Sequence, residues 1–458
     1  MRDHIHFYLN GKSHTLHGEG AFMQLADWLR YKKGLTGTKI VCAEGDCGAC
    51  TVLVSRLVNK KMTAYQSINS CISFMYLLDR CHIITVEGLS EGEKLHPAQS
   101  AMINCNGAQC GYCTPGFICA MAGLADEAKN GQKQLDERHV KNALTGNLCR
   151  CTGYEDIIKA GVSMNLSEVT KLTERYQHDH IEKELVKLAD SSVTVESQGN
   201  KVFLPGNLLQ AIQAPSMKIT SGATDLGVLS NKGKLKLSET MSLNNVASMY
   251  EIVEEKNFIL IGAKASLTQV EKACQKTFPE FSRMLHIFAS PQIKNAGTLV
   301  GNIVNASPIS DTIPFLRVAE AELVLLGPTG ERTVNINSFF KGGYKELDLL
   351  PGEIVTLVRI PKRRGKFKLY KVSKRKDMDI SAVTFAAYYE LIGDDIDKAA
   401  IAYGGVGPIV MRLPKLEQKV QGQTISEKLF REVANELKTT FKPLSDVRGS
   451  DKYRMLVC

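Results

Sequence analysis

The cysteines are concentrated in the first third of this 458-residue chain, where eight of the thirteen form two groups of four. In the first group a C-x4-C-x2-C segment precedes a distant fourth cysteine, which is the spacing of plant-type ferredoxins. In the second group a long gap separates a C-x2-C pair from a C-x-C pair. Two sets of four thiolates predict two [2Fe–2S] clusters and a chain that moves single electrons. The first group is Cys42, Cys47, Cys50 and Cys71, and the second is Cys110, Cys113, Cys149 and Cys151.

Structural zinc is the alternative for the first group. Zinc sites usually combine two separated C-x2-C pairs, whereas here a C-x4-C-x2-C loop meets a single cysteine, so the spacing favours iron. Gly45 and Gly48 of the EGDCGAC loop allow the backbone to fold closely around an anionic cluster and to donate N–H groups to sulfur. Zinc or a catalytic dithiol is the alternative for the second group, and the complete first group beside it favours iron there too.

Two local features support the second group as a ligand set. Pro115 suits the first turn of a helix that begins after Thr114, so the helix N-terminus would face the cluster charge. An extended Cys149-Arg150-Cys151 segment points both thiolates the same way, because side chains alternate along such a backbone. The other cysteines have no partner at ligand spacing and are expected to be buried free thiols. They are Cys81, Cys105, Cys119, Cys274 and Cys458.

Length and composition indicate an ordinary multidomain globular protein. A chain of 458 residues predicts three or four domains, and its 44% hydrophobic and 23% charged content is typical of soluble proteins. It has no apolar run of 18 residues and no signal-peptide core at its start, which predicts a cytoplasmic protein without a membrane span. Clustered cysteines in that compartment indicate metal ligands rather than disulfides. The net charge of +9 is modest, so nucleic-acid binding is not expected.

The order of sequence patterns predicts several α+β domains. Alternation around Asn10-Gly11 predicts a hairpin of residues 4–9 and 13–17, and a helical pattern at 22–29, the cysteine loop and a strand at 51–54 complete a β-grasp ferredoxin layout. Residues 97–165 are predicted to be helical, and the charged segment 166–198 to be one exposed helix or a linker. From residue 199, short apolar runs alternate with helical stretches, which predicts a mixed α/β or α+β fold. The runs are 217–220, 258–261 and 323–326, followed by strands 385–391 and 399–403 and a helix at 426–438.

Several motifs resemble one known family. EGDCGACTV, QCGYCTPGF and GNLCRCTGY are similar to the iron–sulfur portion of the molybdenum hydroxylases, the family of xanthine dehydrogenases and aldehyde oxidases. SGATDLG, IKNAGTLVGNIVNASPISD, KGGYKELDLLPGEI and SKRKDMDISAV resemble the FAD domain of that family. The resemblance covers nearly the whole chain and is greatest to bacterial small subunits, in which the iron–sulfur and FAD domains share one chain. It implies a separate, larger molybdopterin-binding subunit, in a heterodimer or a dimer of heterodimers.

The resemblance also implies a domain division within a multidomain α+β fold. The predicted domains are a plant-type [2Fe–2S] ferredoxin-like β-grasp domain at 1–78, a helical [2Fe–2S]-binding domain at 79–165, a linker at 166–198, an α+β FAD-binding domain at 199–345, and a C-terminal FAD/NAD-side α+β subdomain at 346–458.

The same resemblance assigns an FAD site to the second half of the chain. The turn Ser221-Gly222-Ala223-Thr224 would bring backbone N–H groups to the pyrophosphate, although alone it is an ordinary strand-to-helix turn. Asp311 would hold a ribose hydroxyl, and Asp225 and Tyr344 would contact NAD. Phe288 would match an aromatic position near the cofactor and Ile354 and Val355 an apolar wall, with a purely core role of all three as the alternative. The assigned residues are Ile219, Thr220, Ser221, Gly222, Ala223, Thr224, Asp225, Leu226, Phe288, Thr298, Gly301, Asn302, Asn305, Asp311, Tyr344, Ile354 and Val355.

The chain departs from the family pattern at several positions. Val41 stands where a glycine usually precedes the first cysteine, and Ala382 replaces a lysine of some relatives, which removes one contact to FAD. The continuation GYEDIIKAG differs from the xanthine enzymes, and the chain ends earlier than relatives usually do. The basic run at 362–376 is interpreted as a solvated hairpin, with attraction of the NAD phosphates as the alternative.

The predicted function is electron transfer within a molybdenum hydroxylase. Electrons from a molybdenum centre on the partner subunit would pass through the Cys110 group, the Cys42 group and FAD to NAD⁺, in oxidation of hypoxanthine and xanthine. No side chain of this chain is required as a catalytic acid or base, because the cofactors perform the redox chemistry. The alternatives are the same role in a nicotinate, aldehyde or other N-heterocycle dehydrogenase, and a freestanding iron–sulfur flavoprotein carrier.

Overall fold

A computed structural model describes residues 1–131, 135–214, 217–236 and 238–458, so positions 132–134, 215–216 and 237 of the predicted domains lie outside the described residues. The chain forms two compact units. Unit 1 contains Met1–Ser248 with Ser290–Gly297, and unit 2 contains Met249–Ala289 with Thr298–Cys458. Among the described residues, no helix combines the length and the apolar character that crossing a bilayer requires.

Unit 1 begins with the predicted hairpin. Asn10 and Gly11 both have positive φ, at 48° and 80°, which is the geometry that a two-residue hairpin turn requires. The hairpin belongs to a six-stranded sheet of order β2-β1-β6-β3-β4, in which β1 and β6 are parallel and β5 pairs with β3. A short helix, Leu25–Asp27, continues into a π-turn and buries Trp28 against Phe7. This is the predicted β-grasp arrangement. Its strands are β1 His4–Leu9, β2 Lys12–His17, β3 Thr51–Val58, β4 Lys61–Met62, β5 Gln66–Asn69 and β6 Cys81–Ile84.

The predicted helical region follows. Its longest helix carries Phe117 and Met121 into a core shared with the neighbouring helices. The Asp136 side chain accepts from the His139 N–H and thereby caps one helix, since the first N–H groups of a helix lack partners within it. The helices are Pro97–Asn104, Thr114–Gly131, Glu137–Leu144 and Glu155–Ser163.

The charged segment 166–198 forms two helices, Leu172–Arg175 and His178–Val186, and then a strand. Ile181 and Leu185 are buried against the ferredoxin-like region, so apolar residues spaced four apart give the second helix a packed face. The strand belongs to a four-stranded sheet of order β7-β8-β10-β9. The elements are β7 Val193–Ser197, β8 Asn200–Leu204, β9 Lys218–Thr220 and β10 Glu239–Ser242, with helices Leu208–Gln213, Thr224–Asn231 and Pro291–Ala296.

Unit 2 contains two antiparallel sheets. The first has the order β11-β12-β15-β13-β14 and the second has the order β16-β17-β18-β19. Phe281 stacks on Phe315 at a centroid distance of 4.0 Å within an aromatic core. The strands are β11 Ile252–Glu254, β12 Phe258–Gly262, β13 Glu322–Gly327, β14 Gly330–Asn335, β15 Ile354–Pro361, β16 Lys366–Val372, β17 Val383–Ile392, β18 Asp395–Gly404 and β19 Met411–Arg412. The helices are Leu267–Cys274, Pro279–His286, Leu299–Asn305, Ile313–Ala319, Ile336–Phe339, Pro414–Val420, Glu427–Thr440 and Asp451–Val457.

Candidate cofactor sites

The first cysteine group converges in unit 1. Cys42 and Cys47 are half-buried on the loop before β3, and Cys50 and Cys71 are buried. The Cys42 sulfur is hydrogen-bonded to the thiols of Cys47 and Cys71, which lowers the pKa of Cys42, and Cys50 is hydrogen-bonded to Cys71. The backbone N–H groups of Glu44 and Asp46 also point at the Cys42 sulfur, each at 3.4 Å. Four thiols and inward N–H donors are the groups that would suit an anionic metal–sulfur cluster.

Glycines make this loop possible. Gly45 and Gly48 have φ of 73° and 69°, in the left-handed region that favours glycine. A Cβ on Gly48 would lie 2.2 Å from the carbonyl oxygen of Gly146 and 2.6 Å from the Asn147 Nδ2 atom. The close approach therefore joins the first cysteine loop to the segment that carries the second group.

Replacing Gly48 with alanine is expected to unfold this loop and to lower occupancy of the first metal site. The left-handed backbone costs about 1–2 kcal/mol for alanine, and the clash with backbone adds roughly 1–3 kcal/mol. Gly34→Ala is the matched control, because Gly34 has a φ of 69° with no atom within 4 Å of its added Cβ. Thermal unfolding and iron content measure both effects, and equal losses in the two variants would contradict the proposed clash.

The second cysteine group also converges in unit 1. The Cys110 and Cys151 sulfurs are exposed and lie 3.4 Å apart. Burial and the neighbouring Cys149 raise the pKa of the Cys113 thiol to about 12. Burial alone would raise the pKa of Cys149, but donors from Thr152 bring it below its ordinary value: the Thr152 N–H lies 3.5 Å from the Cys149 sulfur. The four thiols therefore come together at the start of the helix Thr114–Gly131.

A hydrogen-bonded junction connects the two groups. The Leu148 N–H donates to the Cys47 carbonyl oxygen at 2.9 Å, one residue before Cys149. Asn147 donates from Nδ2 to the Gly48 carbonyl at 3.0 Å, and Gln292 donates to the Asn147 Oδ1 at 2.8 Å. Sequence reasoning missed Asn147 and Gln292. The one available signal was that Asn147 lies close before the C-x-C pair. A buried amide at that place can hold a ligand loop in position through its hydrogen bonds.

The helix that follows the turn at 219–226 contacts the first cysteine group. Strand β9 ends at Thr220, and the chain turns through Ala223, with φ of 53°, into the helix Thr224–Asn231. A Cβ on Gly222 would lie 2.0 Å from the Ala296 carbonyl oxygen, so glycine is required for packing there. At the end of this helix Asn231 donates from Nδ2 to the carbonyl oxygens of Ala43 and Cys71, both at 2.8 Å. Sequence reasoning did not single out Asn231.

The remaining predicted FAD residues lie in unit 2. Thr298 caps the helix Leu299–Asn305 by accepting from the Gly301 N–H at 3.0 Å. The Asn302 Oδ1 atom accepts from the hydroxyls of Ser310 and Thr312, and the Asn305 Oδ1 atom accepts from Lys345. Ile354 and Val355 are buried in β15, Phe288 is partly buried, and Tyr344 is 62% exposed.

Asp311 lies in a buried polar cluster. Its Oδ2 atom accepts from Lys371 Nζ and its Oδ1 atom from the Ser381 hydroxyl, both at 2.5 Å. Burial raises the pKa of the Asp311 carboxyl, and the Lys371 charge acts against that shift. Lys371 is itself buried, which differs from the solvated-hairpin interpretation of the basic run. Since a carboxylate has about four acceptor positions and two are used here, the Asp311 carboxylate can accept from further donors.

Three family models match the chain. Residues 85–161 match a [2Fe-2S] binding domain, residues 204–363 the FAD binding domain in molybdopterin dehydrogenase, and residues 368–458 the CO dehydrogenase flavoprotein C-terminal domain. Xanthine dehydrogenase of Emericella nidulans is 29% identical over 93% of this chain and 35% of its own length. Xanthine dehydrogenase/oxidase of Rattus norvegicus is 28% identical over 98% and 37%. The chain therefore spans about a third of the length of these relatives.

Solved structures share the fold. A carbon monoxide dehydrogenase chain from Hydrogenophaga pseudoflava has a TM-score of 0.53 and 23% identity, covering 56% of this chain and 92% of that one. A chain of quinoline 2-oxidoreductase from Pseudomonas putida 86 has a TM-score of 0.52 and 24% identity, covering 55% and 90%. Together with the iron–sulfur and FAD domains, these findings define the class as an iron–sulfur flavoprotein. The three family models and the xanthine dehydrogenase relatives together support an iron–sulfur and FAD-binding chain of the molybdenum hydroxylase type.

Proposed function

We propose that this chain is the electron-transfer subunit of a molybdenum hydroxylase that oxidises hypoxanthine and xanthine. Electrons would enter from a molybdopterin-binding partner subunit and leave to NAD⁺. The names of the matched xanthine dehydrogenases support this substrate. When bound, two [2Fe–2S] clusters would carry single electrons, and FAD would accept two electrons and transfer a hydride. The two cysteine groups fit the clusters, because each brings four thiols together.

The observation that carries the proposal is the continuous set of contacts in unit 1. The helix that follows the proposed pyrophosphate turn bonds to the Cys71 carbonyl through Asn231, and the Cys47 carbonyl bonds to Leu148, the neighbour of Cys149. Short covalent and hydrogen-bonded connections therefore run from the turn to the first group and on to the second. These contacts fix the distances between the proposed sites, which is the contribution that a protein makes to electron transfer.

The other assignments of this proposal follow the same order along the chain. The ferredoxin-like domain would occupy 1–78 and the helical iron–sulfur domain 79–165. Segment 166–198 would connect them to an FAD domain at 199–345 and a subdomain at 346–458. The residues proposed to bind FAD are Ile219–Leu226, Phe288, Thr298, Gly301, Asn302, Asn305, Asp311, Ile354 and Val355. Within the first segment the exposed Asp225, together with Tyr344, would also contact NAD.

Reduction of the isolated chain by NADH tests the proposal without the partner subunit. Under anaerobic conditions NADH is expected to reduce the flavin and then both clusters, giving two [2Fe–2S] signals by electron paramagnetic resonance. Asp225→Ala should keep its FAD and slow this reduction by roughly ten- to a hundred-fold, the range for loss of a charged hydrogen bond. Dithionite, which needs no nucleotide site, should reduce the clusters equally in both proteins. Clusters that dithionite reduces and NADH does not would exclude NAD as the acceptor.

A further inference from the structure

Three side chains with metal-binding atoms meet at the open end of the N-terminal hairpin, outside the residues assigned to clusters and FAD. His4 of β1 and His17 of β2 are directly opposite in the strand register, and their ring centroids are 4.9 Å apart. Asp3 lies beside both: its Oδ1 atom is 2.8 Å from His4 Nδ1, and its Oδ2 atom is 3.6 Å from His17 Nδ1. One ligand atom from each residue falls within 4.8 Å of the others.

We propose that Asp3, His4 and His17 form a binding site for a divalent transition-metal ion. Bonds of about 2.0–2.2 Å from one ion to nitrogen and oxygen place neighbouring ligand atoms roughly 3–3.5 Å apart. The two distances from the Asp3 carboxylate lie on either side of that range, so small side-chain rotations suffice. Two imidazoles and one carboxylate suit Zn²⁺, Ni²⁺ or Cu²⁺, whereas Mg²⁺ and Ca²⁺ take oxygen ligands.

The hairpin holds the two imidazoles in place. Residues directly opposite on antiparallel strands have Cβ atoms about 4.5–5.5 Å apart. The backbone just before β1 is fixed on its other side by the bridge between Arg2 and Val193, and β6 pairs with β1 further along, at Tyr8 and Leu9. β2 is the edge strand, so the site faces solvent: the side chains of Asp3 and His17 are 81% and 60% exposed. Water can therefore complete the coordination, and an ion can enter without rearrangement of the core.

A simple histidine–carboxylate pair elsewhere in the chain provides a comparison. Asp136 and His139 lie 2.9 Å apart on one helix and are exposed, as are Asp3 and His17. In the part of the chain that the structure describes, the hairpin brings three such metal-binding side chains within 4.8 Å of one another, whereas Asp136 and His139 are only a pair. If one histidine paired with one carboxylate were sufficient, both the hairpin and the Asp136–His139 pair would bind the metal ion. We expect binding only at the hairpin, because only there does a second imidazole supply a further ligand.

Titration of the tag-free, cluster-loaded full chain with Ni²⁺ tests the site. Ni²⁺ is the probe because imidazole suits it. Constant cluster absorbance verifies that the cysteine groups stay loaded, since empty thiolates would bind divalent metals too. One saturable site is expected by calorimetry. His4→Ala and His17→Ala should each weaken binding by at least about tenfold, since replacing a residue that only hydrogen-bonds to a metal ligand already costs roughly 10–100-fold. His139→Ala should leave the affinity unchanged.

The three histidine variants distinguish metal binding at the hairpin from loss of folding and from binding elsewhere. His17 lies on an exposed edge strand, so His17→Ala is expected to keep the hairpin folded, which far-ultraviolet circular dichroism verifies. Absence of saturable binding by the unchanged chain would overturn the proposal. So would wild-type affinity in both His4→Ala and His17→Ala, or an equal loss in His139→Ala.

Discussion

Serine at position 47 is expected to remove the signal of one [2Fe–2S] cluster and to leave that of the other. Serine keeps the size of cysteine but replaces the soft thiolate that iron–sulfur clusters require, so the iron content should fall by about half. The two groups have separate thiols: Cys47 contacts Cys42, whereas Cys149 contacts Cys113. Electron paramagnetic resonance of the dithionite-reduced chain, with iron analysis, measures the result.

Cys149→Ser is the matched variant for the second group and should remove the other signal. Cys119→Ser is the control, because Cys119 is a buried free thiol in the helix Thr114–Gly131 and belongs to neither group. In Cys47→Ser, NADH should still reduce the flavin, but reduction of the remaining cluster should slow, since the proposed path crosses the first group. Loss of both signals from either single change, in a chain that stays folded, would show that the eight cysteines share one centre.

The parts of the site that sequence could predict depend on local chemistry. Cysteine spacing identified both groups because a ligand set needs particular residues at particular intervals, and Asn10-Gly11 specified the hairpin through its positive φ angles. The β-grasp layout, the helical region and the α+β character of the later domains also follow from local patterns.

The parts that sequence could not predict depend on contacts between distant residues. Asn231 bonds to the Cys71 carbonyl across 160 positions, and Gln292 reaches Asn147 across 145. An asparagine or glutamine has no spacing signature, because its partner is a backbone or amide atom set by the fold. Lys371 illustrates the same limit: within a basic run it is indistinguishable from solvated neighbours, yet its ammonium group is buried against Asp311.

Alanine at position 311 is expected to destabilise unit 2 and to deplete its FAD. Removing one partner of a buried ion pair costs about 3–5 kcal/mol, because the Lys371 charge stays buried without its carboxylate. Separately, loss of a charged hydrogen bond to the proposed ribose hydroxyl would weaken FAD binding by about 1.5–3 kcal/mol, or roughly ten- to a hundred-fold in affinity. Chemical unfolding of the FAD-free chain isolates the first effect, and flavin titration isolates the second.

The double variant Asp311→Ala with Lys371→Met distinguishes a ligand from a positioning residue. Methionine removes the unpaired buried charge while filling similar space, and replacing both partners of a buried pair by apolar groups is often close to neutral. Stability should therefore recover toward that of the unchanged chain. If Asp311 bonds directly to FAD, the flavin affinity stays low in the double variant, which is the expected result. Recovery of flavin affinity together with stability would show that Asp311 acts only by holding Lys371 and Ser381, and the proposed ribose contact would be wrong.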